Sequence, residues 1–139
     1  MQIQRIQSLF LLLAVVLMCI FCLTPYAQHV AQDGTVTAVF MKDTPVLLVV
    51  NACIAVLLLL NIFMFNNLRL QMRLTLLSML LIAGSAVACG FIVTVGMPGS
   101  HLIWIGGVLL LLVALIFVIF AYRGMRSDRR KLASYDRLR

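Results

Sequence analysis

Charge is scarce in this chain, and acidic charge is scarcest. Only 11% of the 139 residues are charged, and four acidic residues face eleven basic ones, for a net charge of +7. A soluble domain is about half apolar and about one quarter charged. Here 64% of the residues are hydrophobic, which would leave a soluble fold with too little polar surface to show water. Basic excess in a soluble protein points to nucleic acid. In this chain the basic residues flank long apolar runs instead, which is the pattern of a membrane protein and excludes nucleic acid as the expected partner.

Other absences narrow the function. Four long runs carry no charged residue at all. Proton relays, voltage sensors and many ion-coupled transporters keep carboxylates or arginines inside the membrane, so none of these is expected. No polar stretch is long enough for a soluble domain, which needs about 40 residues even when small. The four cysteines, Cys19, Cys22, Cys53 and Cys89, all lie inside apolar runs and make poor material for a secreted disulfide framework. Nothing resembles a Ser/His/Asp set, a phosphate-binding loop or a carboxylate pair. We therefore expect no enzyme, no cofactor and no metal.

What is present is four candidate spans, about 6–26, 45–66, 74–95 and 102–122. Each can supply the roughly 20 apolar residues that a helix needs to cross a bilayer. The first competes with a signal peptide, but its cleavage site is poor, with Pro25 two residues before Ala27. An uncleaved first span is the expectation. The second begins at Pro45, which suits a first helical turn. Its Asn51 and Asn61 stand about 80° apart around an ideal helix, too far to form one stripe, and each is expected to bond to a neighbouring helix or to backbone. Residues 67–73 read as a short turn carrying Arg69 and Arg73. In the third span Gly84, Ala86, Ala88 and Gly90 form pairs of small residues four apart, the best candidates for close helix packing, within the chain or against a partner. Gly96 to Ser100 read as a tight turn, after which His101 opens the fourth span, with Trp104 and Tyr122 bracketing it at the two interfaces.

The loop 27–44 contains Asp33-Gly34, a signal for a type I′ turn. After it, Val36, Ala38 and Phe40 alternate in a β-branched run. A short β-hairpin is expected there, resting on helix ends or on a partner.

Four spans place both termini on one side. That side holds Arg5, Arg69, Arg73 and seven Lys/Arg of the tail 123–139; the other holds only Lys42. The positive-inside rule then makes both termini cytoplasmic and the hairpin periplasmic. The expected fold is an all-α integral membrane protein, two helical hairpins with a small β-hairpin between the first two helices.

Two features could carry function. Cys19-x-x-Cys22 has redox spacing, and a membrane thiol oxidoreductase is one alternative. Redox thiols need a thiolate near water and a basic neighbour, and a small apolar core residue is the plainer reading. His29 and His101, on the same side, could bind a metal or haem, but exposed interfacial histidines are commoner. The second feature is the tail. Leu132, Tyr135 and Leu138 would share one face of a helix, among Arg126, Arg130, Arg137 and Arg139, and Asp128 and Asp136 interrupt the basic run. A stop-transfer anchor on anionic lipid would not need those acids or a spaced apolar face. Docking of another membrane or cytoplasmic protein is the competing reading. A small lipid- or ligand-binding protein with a groove between its helices is a third possibility.

Three pieces of the chain fit together: Ile3-Gln4-Arg5-Ile6-Gln7, Arg69-Leu70-Gln71-Met72-Arg73-Leu74, and Arg123 to Arg139 with its ending Asp136-Arg137-Leu138-Arg139. With them the chain resembles a family of small four-helix membrane proteins of Bacteroidota type, a domain of unknown function. It departs from that family's tail at Met125, where the family has isoleucine, and at Arg129, where it has an acid. The resemblance implies a bacterial inner-membrane protein and no activity. It also favours a protein partner, met through Arg69, Arg73, Arg126, Arg130, Leu132, Tyr135 and the terminal Asp136, Arg137, Leu138 and Arg139.

Overall fold

The structure, a computed structural model, describes residues 2–64, 66–96 and 101–136, without the side chains of 2–5, 101–104 and 136. The expected turn residues Met97 to Ser100 and the terminal Arg137, Leu138 and Arg139 lie outside the described residues.

Four helices dominate: α1 (Gln2–Leu23), α2 (Pro45–Phe63), α3 (Leu68–Val95) and α4 (Gly106–Asp136). Each is long and apolar enough to cross a membrane. They form a ring in which every helix packs against its neighbours in sequence and α1 closes against α4. The start of α1 and the end of α4 therefore lie at one end of the bundle.

The core follows from a heptad pattern. On α1 the buried residues are Gln7, Leu11, Ala14, Met18 and Phe21; on α2, Leu47, Asn51, Ile54, Leu58 and Asn61; on α4, Leu111, Ala114, Val118, Ala121 and Met125. Spacings alternate between three and four, the seam of helices packed knobs-into-holes. Asn51 and Asn61 are both on that seam and fully buried. Their angular offset is the offset between two seam positions of one heptad pattern, so the expectation of separate faces is corrected.

The most extensive helix contact is between α1 and α4, and the small residues of α3 do not form a tight contact within the chain. Ala14, Ala114 and Ala121 are fully buried, and a Cβ on Gly124 would come within 2.9 Å of Gln7 Cγ. A Cβ on Gly84 or Gly90 would meet nothing within 4 Å. Ala86 and Ala88 pack only at the edge of the core. The spacing of small residues gave no direction; which helix face turns inward is set by the apolar seam.

At the other end lies a sheet of three strands rather than a lone hairpin. β1 (Pro25–Val30) follows α1 directly and is central, with β2 (Val36–Phe40) and β3 (His101–Trp104) antiparallel on either side. A single 3-10 turn, Met41–Asp43, leads into α2. The His101–Trp104 segment is thus a strand, and α4 starts only at Gly106. A short apolar run beside a helical one cannot be assigned by periodicity; pairing with the open edge of β1 decides it.

The hairpin turn also differs from type I′. Gly34 has φ +81°, while no other described residue has positive φ. The amide of Gly34 donates to the Ala31 carbonyl, and that of Ala31 to the Thr35 carbonyl. This is a three-residue loop closed by a left-handed glycine, which spares Asp33 the conformation that L-residues resist.

The sheet is seated on the bundle by Tyr26, which is fully buried, and by Gly107. A Cβ on Gly107 would collide with Tyr26 Cα and lie 2.8 Å from the Pro25 carbonyl oxygen. Glycine there is what lets β1 cross the start of α4. Burial pushes the Tyr26 hydroxyl above its ordinary pKa.

Candidate functional site

The end of the bundle that carries the termini has the most distinctive chemistry. Residues 67–73 are not a turn. α2 ends at Phe63, and α3 starts at Leu68. Arginine is a good helix former, so charge ends the apolar run without ending the helix. Arg69 and Arg73 therefore stand one turn apart on the same exposed face of α3. In the same way α4 runs unbroken past Tyr122 to Asp136. At 31 residues it is about 46 Å long, against a hydrocarbon core of about 30 Å.

Polar layers hold these ends in register. Asn61 Nδ2 donates to Thr75 Oγ1 at 2.7 Å, and Thr75 Oγ1 donates to the Gln71 carbonyl at 2.8 Å. Gln71 Nε2 donates to the Asn61 carbonyl at 3.3 Å, and Thr75 Oγ1 sits 3.6 Å from Met125 Sδ. This layer joins α2, α3 and α4. A second tie links α1 to α4, from Gln7 Nε2 to Asp128 Oδ2. Asn51 turns instead to its own helix, donating to the Leu47 carbonyl at 2.8 Å.

Because α3 and α4 are antiparallel neighbours, the two basic segments meet. Two adjoining cavities of about 370 and 430 Å³ open between them. Arg69 and Arg73 line the first, Arg126 and Arg130 the second, and Arg129, Tyr122 and Met72 line both. Four of these arginines were expected to act; Arg129 and Tyr122 were not assigned to the site. Only the pairing of α3 with α4 reveals them, since about fifty residues separate the segments.

Leu132 and Tyr135 belong to a different feature. They extend the buried seam of α4, which runs Met125, Asp128, Leu132, Tyr135 at the same alternation of three and four. Yet they are 58% and 69% exposed. Met125, also in the expected tail, is fully buried, so the first part of that tail belongs to the bundle core.

The remaining candidates disperse. Of the four thiols, all free, only Cys89 is buried; Cys22 is half-buried, and Cys19 and Cys53 are exposed on the flanks of their helices. Core packing therefore accounts for Cys89 alone. His29 sits in β1 and is 3% exposed, not an open interfacial residue. His101 is in β3 opposite Val30. Among the described residues no three His, Cys, Asp or Glu side chains are grouped as a metal site would need. Gly84 and Ala88 line an open apolar groove of about 690 Å³ between α2 and α3.

The model of a domain of unknown function, DUF4293, matches residues 3–138. The chain belongs to this DUF4293 family. That span takes in all four helices and the sheet, so the family unit is the whole bundle. No curated protein and no solved structure matches the chain. DUF4293 membership thus brings a domain but no activity, and function must be argued from the arrangement just described.

Proposed function

We propose that this protein is a non-enzymatic inner-membrane protein, with both termini cytoplasmic, that serves as an accessory or scaffold subunit of a larger assembly. Its docking element is the end of α4. The observation that carries this reading is the seam of α4, which continues beyond the last buried layer to Leu132 and Tyr135 and leaves them exposed. A helix seam is completed by a second helix. The tail 123–139 carries seven basic and two acidic residues, a net +5. That charge fits an acidic helix of another protein and repels a second copy of this chain. The orientation rests on the ten Lys/Arg at the terminal end against Lys42 at the sheet end.

The test uses the full chain with a photoreactive residue at position 132 or, as a control, at Leu112 on the membrane flank. Cross-linking from 132 to an acidic helix of one stoichiometric partner is expected. The same partner should be lost from gentle-detergent purifications of a Leu132→Asp/Tyr135→Asp variant that inserts normally. Cross-links from 132 that reach only lipid, or only a second copy, would refute the reading.

A further inference from the structure

The cleft between α3 and α4 supports an inference that stands without the docking reading and does not use Leu132 or Tyr135. Five arginines line its two cavities, Arg69 and Arg73 from α3 and Arg126, Arg129 and Arg130 from α4, with Arg129 common to both. No carboxylate lines either cavity. Among the described residues, Asp128 is turned away, its carboxylate accepting from Gln7 on α1. The cluster therefore keeps its charge, and arginine forks match phosphate oxygens two at a time.

The rest of the cleft says what kind of anion fits. Met72, Leu76 and Tyr122 line the same cavities as the arginines. On α3, Arg69, Arg73 and Leu76 follow one another at intervals of four and three along one face, and Leu80, four residues on, carries that face to the rim of the groove between α2 and α3; Leu76 is 47% and Leu80 66% exposed. Charge at the end of the helix thus passes directly into an exposed apolar stripe. Tyr122 stands where the apolar run of α4 gives way to arginine, the level of a headgroup. A soluble phosphate compound would use the arginines and leave the stripe bare. An amphiphile uses both.

We propose that this cleft holds the phosphate of an anionic phospholipid from the adjacent leaflet, with the acyl chains lying along the leucine stripe of α3. Basic pockets between membrane helices bind lipid headgroups on this physical basis. The site would fix a lipid between two neighbouring helix ends that both carry arginines.

The experiment is native mass spectrometry of the full chain in neutral detergent. The probes are phosphatidylglycerol, phosphatidylcholine and the deacylated headgroup glycerophosphoglycerol. Phosphatidylglycerol should be retained over phosphatidylcholine, and glycerophosphoglycerol should not compete at equal concentration. Arg73→Gln/Arg129→Gln should lower phosphatidylglycerol binding by more than about tenfold, since each basic residue near an anionic surface is worth about fivefold. Arg123→Gln, at an exposed position of α4 lining neither cavity, should leave it unchanged. On the unaltered chain, phosphatidylglycerol bearing a diazirine in its headgroup should label residues 69–76 and 122–133 ahead of α2. Equal retention of the two lipids, undiminished binding by the double variant, or labelling of α2 to the same extent would overturn the lipid site. Competition by glycerophosphoglycerol as strong as by the lipid would overturn it in favour of a soluble phosphodiester.

Discussion

Alanine at position 107 tests how the sheet is joined to the bundle. The new Cβ would collide with Tyr26 Cα and lie 2.8 Å from the Pro25 carbonyl oxygen. These are backbone atoms, which cannot rotate aside as a side-chain tip can. Overpacking costs about 1–3 kcal/mol where neighbours have room to yield, and here the upper end applies. Alanine returns at most about 1 kcal/mol of helix propensity, less in a first turn. The net loss is about 2 kcal/mol. For a chain of this length that lowers the midpoint by about 8 °C. The assay is a circular-dichroism melt in neutral detergent at a fixed scan rate, beside Gly84→Ala and Gly90→Ala. At those two positions a Cβ meets open space, so the propensity gain stands alone and the midpoint should hold or rise. If Gly107→Ala melts at or above the unaltered protein, β1 does not cross α4 as described.

Three further outcomes are expected. Met125→Ala, which empties a fully buried position, should cost about 2–5 kcal/mol, whereas Leu132→Ala should stay within about 0.5 kcal/mol; equal effects in unfolding titrations would contradict the core boundary drawn through the tail. Asn61→Leu and Thr75→Val should each destabilise, and their double-mutant cycle should show a coupling of about 0.6–1.7 kcal/mol; additivity would mean that the 2.7 Å bond between them contributes nothing. The Thr35 hydroxyl, donating at 2.9 Å, and local backbone amides hold the Asp33 carboxyl below its ordinary pKa. The turn is therefore favoured above the unfolded-state pKa and loses that support as pH falls through the lowered one; NMR titration should show Thr35→Val moving the Asp33 value upward, and no movement would remove the hydroxyl as the cause.

Much of the architecture was legible because long apolar helices announce themselves by composition. A run such as 102–122 has no charge over its whole length, and no packing detail is needed to read it. The Asp33-Gly34 signal likewise marked the hairpin, although the turn type required knowing that Asp33 keeps negative φ. Boundaries were less legible. Arg69, Arg73 and Arg123 bound apolar runs, yet the helices continue through them, because hydropathy reports the solvent and not the backbone. The segment His101–Trp104 was illegible as a strand, since its partner β1 lies seventy residues earlier.

The candidate site divides along the same line. Sequence alone supplied the arginines, the seam residues Leu132 and Tyr135, and the imbalance of charge between the two ends, because residue identity and spacing carry these. Tertiary structure decided which of them act together. Antiparallel packing of α3 on α4 turns two separate basic segments into one cleft, and the depth of the bundle buries Met125 while leaving Leu132 exposed. Helix periodicity is a local property of the chain. Convergence of charges and the end of a core depend on which helices are neighbours and how far each extends, and only the folded bundle sets those.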